Sequence, residues 1–440
     1  MTLSTQDARE HSRRRKELMR RIGGDAVAII PASHEVVRAR DTHYRFRQNS
    51  DFQYLTGFPE PEAIAVLVPG RKGGEFVLFV RPRDKDSEIW HGRRAGPEGA
   101  VAQYGADQAF NLDQLDTELP KLLMGREAVH YTLGEFPELD PKITGIVRYL
   151  REVSRRGAAA PTTFVALETT LHEMRLIKSR AEIALLKKAA AVSARAHCKA
   201  MQMARPGVNE WQVMAEIQCE FERENMQPGY GSIVGGGDNA CILHYTENNQ
   251  PLRDGDLLLI DAGGELQGYT ADITRTFPVN GRFNGAQKAV YEVVLAANKA
   301  AIKTLKVGAS VGKPHETAVR ILTQGLVDLG LLKGKVDALI EQQQYRQFYM
   351  HGTGHWLGMD VHDVGRYKLG GKYRKFEAGM VMTVEPGLYI APGTPGVDES
   401  YWGIGIRIED DVLVTAAGPE VLTGGVPKDV AAIESLIAAA

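Results

Sequence analysis

The sequence is poor in cysteine, has no long apolar run and carries almost no net charge. Its three cysteines are odd in number and far apart in 440 residues, which argues against a disulfide framework or a cysteine-rich zinc site. No apolar run approaches the roughly 20 residues that cross a bilayer. The 53 basic and 55 acidic residues nearly cancel, so the charge pattern of a general nucleic-acid binder is missing. We therefore expect a cytoplasmic protein with neither nucleic-acid nor membrane partners.

Residues 1–21 are polar and basic, without the apolar stretch of a signal peptide. The basic cluster Arg13–Lys16 is compatible with a nucleic-acid or membrane contact. However, Leu18 and Met19 interrupt it and no second basic stripe follows. We expect this cluster to be a solvated helix face.

The first 155 residues alternate short apolar runs with helical patterns. The strand-like runs each end at a proline and lie at 25–32, 63–70 and 75–82. A helical pattern occupies about 139–155, and small residues ending in a proline follow at 155–165. The alternation predicts an α/β domain over residues 1–172, with a linker at its end.

The remainder, residues 173–440, has a different organisation. Helices are predicted at 179–204, 209–225, 287–306 and 315–330. Ser179 and Glu182 have the spacing of a capping box at the start of the first one. Strand-like segments lie between and after the helix pairs. This order predicts an α+β domain with a mixed or antiparallel sheet.

A hairpin is predicted at 256–277, where two apolar runs flank GGELQGY. If its turn centres on Leu266 and Gln267, Asp261 and Asp272 face each other across the strands. Two carboxylates so placed repel each other unless a cation or a shared proton compensates, and a pair of metal ions would do so. In the alternative interpretation, Asp261 caps a turn and Asp272 lies in an adjacent loop. The hairpin alone does not decide between the two.

Three histidines fall within twelve residues of the segment HGTGHWLGMDVHD: His351, His355 and His362. The segment lacks the HExxH pattern, which excludes that kind of zinc protease. Glycines on both sides of His355 allow the backbone to approach another group closely. A single histidine is usually structural, whereas three beside a glycine-rich kink favour a functional site.

Two further segments contribute carboxylates at strand ends. Glu385 follows an apolar strand and precedes Pro-Gly, so it is either a costly buried carboxylate with a partner or an exposed rim residue. Alternation places Arg407 and Glu409 on one face of the next strand, either as a surface ion pair or in a cleft. Together with Asp261 and Asp272, these carboxylates and one imidazole suit hard or borderline ions such as Mn²⁺, Co²⁺ or Zn²⁺.

These residues resemble the site of the pita-bread metallopeptidases, a family that includes methionine aminopeptidase, prolidase and aminopeptidase P. That family holds two metal ions with Asp, Asp, His, Glu and Glu in this chain order. The matching positions here are Asp261 in LLLIDAG, Asp272 in YTADITRTF, His355 in HGTGHWLG, Glu385 in TVEPGLY and Glu409 in GIRIEDD. The resemblance implies that Asp272 and Glu409 bridge the ions, with Asp261 on one side and His355 and Glu385 on the other.

The resemblance extends over nearly the whole chain and is strongest to the aminopeptidase P branch. It is carried by YRFRQNSDFQYLTGFPEPEA, EIWHGRRAG, MRLIKSRAEI and GGGDNACILHYTEN. It implies a creatinase-type N-terminal domain, a curved mixed or antiparallel sheet in the C-terminal domain, and a homodimer or homotetramer. It further implies removal of the first residue from peptides with proline in second position, by a hydroxide held between two divalent ions, most often Mn²⁺.

The family pattern also assigns roles around the metal ligands. Glu385 is the implied general base, and His362 and His244 are implied to hydrogen-bond the substrate carbonyl or the tetrahedral intermediate. His351 and Arg407 are the implied catalytic residues that line the proline pocket.

Two aromatic residues complete the implied substrate-binding set. Tyr230 takes the position of a tyrosine near the metals. Trp90 matches an aromatic residue that is lent to a neighbouring subunit's site, although an ordinary core or surface tryptophan is the equal alternative.

Two other functions remain open at this point. A prolidase would be limited to Xaa-Pro dipeptides, and the sequence does not show what would block the cleft beyond the proline. A metal-free pita-bread module would bind without hydrolysis, but such relatives have lost metal ligands that this sequence retains.

Overall fold

The computed structural model describes residues 5–154, 157 and 159–439, and the chain divides into two compact units between Met174 and Arg175. Within these described residues, no helix combines the length and apolarity that crossing a membrane requires. The three cysteines are unpaired.

The first unit is built on one six-stranded sheet with the order β6-β5-β4-β1-β7-β8. Its strands are β1 Ala26–Pro31, β4 Ile64–Leu67, β5 Phe76–Val80, β6 Gln108–Asn111, β7 Ala128–His130 and β8 Thr163–Val165, with a separate hairpin of β2 Val37–Ala39 and β3 Thr42–His43. Only β4 runs antiparallel to its neighbours; the other pairs are parallel. Every residue of β1, β4 and β5 is buried, which explains their continuous apolar runs. The expected α/β architecture is confirmed.

Helices accompany this sheet at α1 Thr5–Ile22, α2 Ser50–Thr56, α3 Lys85–His91, α4 Gly96–Tyr104, α5 Leu115–Leu123, α6 Asp140–Glu152 and α7 Glu168–Leu176. The apolar sides of α5 and α6 pack into one core with the sheet. Leu119 and Ile143 from the helices meet Val27 and Val66 from the strands in that core.

The predicted solvated face at Arg13–Lys16 is wrong for its two middle residues. Arg14 and Arg15 are buried, whereas Arg13 is exposed. The guanidinium groups of Arg14 and Arg15 donate to the carbonyl oxygens of Tyr54 (3.1 Å) and Leu55 (2.8 Å). These carbonyls lie in the last turn of α2, where unpaired oxygens and the helix dipole attract cations. The two arginines therefore tie α1 to α2.

The second unit contains the predicted helix pairs. Its helices are α8 Arg180–Met203, α9 Glu210–Arg223, α10 Gly285–Ile302, α11 Lys313–Asp328, α12 Val336–Glu341 and α13 Val430–Ala438. The capping box of Ser179 and Glu182 is formed at the start of α8, as predicted. Helices α8 and α9 pack against each other, and so do α10 and α11.

The strands of the second unit form short antiparallel sheets. They are β9 Gln227–Pro228, β10 Ile233–Gly236, β11 Leu257–Asp261, β12 Gly264–Leu266, β13 Tyr269–Thr270, β14 Thr274–Pro278, β15 Lys368–Leu369, β16 Lys372–Tyr373, β17 Val381–Val384, β18 Gly387–Ile390, β19 Ile404–Arg407, β20 Asp410–Thr415 and β21 Gly418–Val421. The larger groups have the orders β10-β11-β14 and β17-β20-β21, and β18 pairs with β19. The expected α+β class with an antiparallel sheet is confirmed.

The predicted register of the 256–277 hairpin is wrong by two residues. Asp261 lies opposite Thr274 rather than Asp272. The turn is formed by Gln267 and Gly268, both with positive φ, as a two-residue hairpin turn of the favoured kind requires. Asp272 lies in the irregular segment between β13 and β14, as in the alternative interpretation.

Candidate active site

A cavity of about 420 Å³ opens in the second unit, where several strand ends meet. Ten of the eleven predicted site residues line it. The first and the last of them, Tyr230 and Glu409, are more than 170 positions apart in the sequence. The ten residues are Tyr230, His244, Asp261, Asp272, His351, His355, His362, Glu385, Arg407 and Glu409. Apolar lining is supplied by Ile233, Leu243 and Val361.

Asp261 and Asp272 approach each other because the backbone at Gly263 passes very close to the backbone at Ala271. A Cβ at Gly263 would lie 1.7 Å from the carbonyl oxygen of Ala271, so only glycine fits there. The hydroxyl of Tyr230 lies between the two carboxylates, 2.7 Å from Asp261 Oδ1 and 2.6 Å from Asp272 Oδ1. The Tyr230 hydroxyl is thus within hydrogen-bond distance of both carboxylates, although Asp261 and Asp272 are not paired with each other in the sheet.

His355 and Glu385 are placed side by side by hydrogen bonds between their backbones. The Thr383 amide donates to the His355 carbonyl (2.9 Å), and the Glu385 amide donates to the Thr353 carbonyl (2.8 Å). A Cβ at Gly354 would lie 1.9 Å from the Thr383 carbonyl oxygen, which explains the glycine in HGTGH. His355 Nε2 and Glu385 Oε1 are 3.8 Å apart as a result.

The remaining carboxylate joins this group from a distant strand end. The Thr274 carbonyl accepts a hydrogen bond from the Glu409 amide (3.0 Å), and the Thr274 hydroxyl donates one to Glu409 Oε2 (2.7 Å). His355 Nδ1 lies 3.0 Å from the Trp356 carbonyl, which directs Nε2 towards Asp272 Oδ2 at 3.4 Å. Asp272, His355 and Glu409 each offer one ligand atom, and these atoms lie within 4.8 Å of one another.

Arg407 does not form the surface ion pair with Glu409 that was one alternative. It is buried, and its guanidinium donates to Asp261 Oδ2 (2.6 Å), Tyr389 Oη (3.0 Å) and Thr274 Oγ1 (3.0 Å). Glu409 is buried as well. The two residues therefore belong to the wall of the cavity.

The acidic groups of the cavity are electrostatically unfavourable as a set. Burial raises the pKa of Glu385 to about 7, and burial together with the charges of Asp272, Glu385 and Asp261 raises the pKa of Glu409 well above its ordinary value. Burial lowers the pKa of His355, but its hydrogen bond to Asp272 and the charges of Asp272 and Glu385 raise it overall, to about 9. Divalent cations would favour the ionised carboxylates, and this oxygen-rich donor set with one imidazole fits hard or borderline ions.

His351 and His362 have environments that favour the neutral imidazole. Burial lowers the pKa of His351 to about 4, and its Nδ1 lies 2.7 Å from the Gly352 carbonyl. Its Nε2 lies 2.9 Å from Tyr389 Oη and accepts a hydrogen bond from that hydroxyl. Burial also lowers the pKa of His362, whose ring stands edge-on to that of His355 at 4.4 Å.

Tyr389 and Thr274 were missed in the sequence. Tyr389 links Arg407 to His351 through its hydroxyl, and Thr274 links Arg407 to Glu409. Gly387 lies directly opposite Arg407, so Tyr389 is the diagonal neighbour on the same face. This strand pairing would have pointed to Tyr389 as a neighbour of Arg407, but only if the register of β18 and β19 had been known from the sequence.

Trp90 is the one predicted site residue that does not line the cavity. It lies on α3 in the first unit, and 82% of its surface is exposed. Its predicted role in a neighbouring subunit stays a prediction.

Comparison with known families covers both units. Residues 184–416 match the model of metallopeptidase family M24, and residues 11–131 match that of the aminopeptidase P N-terminal domain. The chain is 47% identical to the Xaa-Pro aminopeptidase of Escherichia coli over 98% of both proteins. The chain belongs to the aminopeptidase P family. It is therefore a metallopeptidase with the pita-bread fold in its second unit.

Other members of the aminopeptidase P family are similar to this chain over nearly their whole length. The Xaa-Pro aminopeptidase of Haemophilus influenzae is 46% identical over 97% of both chains. The structure of Pseudomonas aeruginosa aminopeptidase PepP superposes with a TM-score of 0.97 at 54% identity, over 98% of both chains. A zinc-substituted Escherichia coli aminopeptidase P in complex with product has a TM-score of 0.95 at 46% identity, covering 100% of this chain and 99% of that one.

Proposed function

We propose that this protein removes the N-terminal residue from peptides with proline in second position, with two divalent metal ions as cofactors. The observation that carries the proposal is the convergence of four carboxylates and one imidazole in a single cavity with three further histidines and a buried arginine. Membership of the aminopeptidase P family supports the same conclusion.

Asp261, Asp272, His355, Glu385 and Glu409 would hold the ions as ligands. When bound, divalent ions make water nucleophilic near neutral pH and polarise a carbonyl group. Mn²⁺ is the proposed native ion because four of the five ligands are carboxylates; Co²⁺ and Zn²⁺ suit the same donors.

Glu385 is the proposed general base. In the metal-free site burial raises its pKa to about 7, and bound cations would lower this pKa, so the carboxylate would be ionised and able to accept a proton. Its carboxylate is 19% exposed, so it lies within reach of the cavity. It would accept the proton of the attacking water and return it to the proline nitrogen as the peptide bond breaks.

Two histidines are proposed to supply hydrogen bonds at the reacting carbonyl. His362 and His244 are proposed to donate to the developing oxyanion, where such donors stabilise charge most effectively. His351 and Arg407 are proposed to hold the proline side, connected through the Tyr389 hydroxyl. Tyr230 would fix Asp261 and Asp272 relative to each other.

The proposal includes assembly and location. An 82% exposed Trp90 and a 78% exposed Ile89 on α3 support a homodimer or homotetramer in which Trp90 reaches a neighbouring subunit's site.

The three unpaired cysteines are compatible with a reducing compartment, and we propose the cytoplasm. We further propose residues 1–172 and 173–440 as the two domains.

The decisive test is hydrolysis by chelator-stripped protein with and without added Mn²⁺. The substrates are an Xaa-Pro-Xaa tripeptide, an Xaa-Pro dipeptide and an Xaa-Ala-Xaa control, and release of the first residue is measured. Metal-dependent cleavage of the proline tripeptide but not of the alanine control is the expected result. Cleavage confined to the dipeptide would indicate a prolidase, and no cleavage with Mn²⁺, Co²⁺ or Zn²⁺ would indicate a binding module.

A further inference from the structure

Glu210 is a fully buried carboxylate at the first position of α9. It accepts four hydrogen bonds from uncharged donors. Oε1 receives the Gly236 amide (2.8 Å) and Asn239 Nδ2 (2.9 Å), and Oε2 receives the Tyr245 hydroxyl (2.8 Å) and the Gln250 amide (2.9 Å). A buried charge is costly unless it is hydrogen-bonded, and here both oxygens are.

The four donors share one property: they all belong to residues 236–250, the segment that carries His244. Tyr245 follows His244 directly and is buried, whereas Ile242, two positions before His244, is exposed. His244 therefore stands at the edge of the cavity next to the residue that Glu210 holds. Leu243, the residue before His244, packs against the buried cluster that contains Tyr245.

The same segment has a second attachment at Asn248. Asn248 accepts the Val234 amide (2.8 Å) and donates to the Ser232 carbonyl (2.8 Å), with a positive φ that asparagine tolerates. Gly236 and Asn239 precede His244 in the chain, and Tyr245 and Asn248 follow it, so the segment is attached to α9 or β10 on both sides of His244.

A carboxylate suits this position better than an amide. Glu210 needs two acceptor oxygens, because two of its four donors are backbone N–H groups that cannot reverse their role. A glutamine would place its NH₂ group against one of these donors. The start of a helix also favours a negative charge, through the unpaired N–H groups of the first turn.

We propose that Glu210 is a positioning residue for His244, holding its loop so that the imidazole faces the substrate carbonyl. The inference rests on the proposed function, since it takes His244 as a group that contacts substrate. It requires no contact between Glu210 and the substrate or the metal ions.

The test is a double-mutant cycle of Glu210→Gln and His244→Ala, assayed on the Mn²⁺-loaded enzyme with the proline tripeptide. A misplacement near 1 Å can cost on the order of a hundredfold, so we expect Glu210→Gln to lower kcat by roughly 10–100-fold with a smaller change in KM. In the His244→Ala background the same substitution should have little further effect. Additive losses in the two backgrounds would overturn the proposal.

Tyr245→Phe is the milder variant, because it removes one donor and leaves the carboxylate with three. It should lower kcat less than Glu210→Gln and should also lose its effect in the His244→Ala background. Glu222→Gln, on the exposed side of the same helix, is the matched control and should leave kcat unchanged. An unchanged kcat in both Tyr245→Phe and Glu210→Gln would contradict the proposal.

A measurement on metal-free protein separates this proposal from the proposed function. Hydrogen exchange of residues 236–250, followed by mass spectrometry, should quicken in Glu210→Gln and Tyr245→Phe but not in Glu222→Gln. The His244 imidazole resonance, assigned by its loss in His244→Ala, should shift in the same two variants. Unchanged exchange and an unchanged resonance in these variants would overturn the positioning role. If the expected changes occur but the wild-type enzyme is inactive, only the proposed function is overturned.

Discussion

Glu409 and Asp410 are adjacent and equally buried, yet their charges are treated in opposite ways. Glu409 faces other carboxylates, and burial together with their charges raises its pKa well above the ordinary value. Burial also disfavours the charge of Asp410, but Arg275 and Lys428 hold its pKa below the ordinary value. Arg275 lies 2.7 Å from Asp410, and the Thr423 hydroxyl donates to the same oxygen at 2.9 Å.

The difference distinguishes a structural charge from a functional one. Asp410 is neutralised within the folded chain, so its charge stabilises the fold. Glu409 belongs to a set whose repulsion the protein leaves largely uncompensated, which is typical of groups arranged for an external cation. Burial alone would not have separated the two, whereas the sign of the neighbouring charges does.

The largest expected effect is the loss of activity in Glu409→Gln. Metal ions supply several kcal/mol of transition-state stabilisation, so kcat/KM should fall at least about a thousandfold. Metal-free Glu409→Gln should nevertheless unfold at the same temperature as the metal-free wild type or higher, because the neighbouring carboxylates already disfavour a charge at this position and the glutamine removes it. Peptide hydrolysis and thermal unfolding of the two proteins measure this. A lower unfolding temperature of the variant would mean that the charge of Glu409 stabilises the folded chain, as the charge of Asp410 does.

Asp410→Asn should have the opposite profile, with a large effect on stability. Removing one partner of a buried ion pair leaves Arg275 and Lys428 uncompensated, which costs about 3–5 kcal/mol. Urea unfolding measures this loss. The control is Lys187→Ala, which breaks the exposed pair with Glu420 and should cost less than about 1 kcal/mol. Equal losses in the two variants would contradict the comparison.

The same reasoning applies to two buried histidines, and its effect is smaller. His355 has Asp272 beside it and a pKa raised to about 9, whereas burial lowers the pKa of His197 to about 4. His197 donates Nε2–H to the Ala262 carbonyl (2.9 Å), and the nearby charges of Arg275 and Asp272 act with opposite signs.

His197 should therefore make the protein less stable in acid. Between pH 6.5 and about 4 the unfolded chain binds a proton at this imidazole and the folded chain does not, so stability falls by about 3 kcal/mol as the pH drops. His197→Gln keeps a donor for Ala262 and should flatten this part of the pH profile. Unfolding free energies measured between pH 4 and 7.5 test it, and an unchanged slope would show that His197 titrates normally.

Local features of the fold were predictable because their causes are local. The capping box at Ser179 fixes the start of α8 from residues three positions apart. The hairpin at 256–277 was predicted, but its register was not, because Gln267 and Gly268 both adopt positive φ and move the turn. The burial of Arg14 depends on carbonyls 40 residues away, which no local pattern indicates.

The site was predictable as a set of residue types and not as a geometry. The five candidate ligands could be named from their motifs, and the structure gathers them in one cavity. The sequence Glu409-Asp410-Asp411 does not show which carboxylate meets Arg275, because that contact spans 135 positions. Glu210 was missed for the same reason, since its four donors lie 26 to 40 positions further along the chain.

The bonds between Thr274 and Glu409 also bear on when the candidate ligands can come together. They join residues 135 positions apart, and contacts of such long range are made late because the closing of a large loop must come first. A growing chain that has reached only Asp272 or His355 holds an incomplete set of ligands. The complete set of candidate ligands therefore exists only once Glu409 has been synthesised and the loop between it and Thr274 has closed.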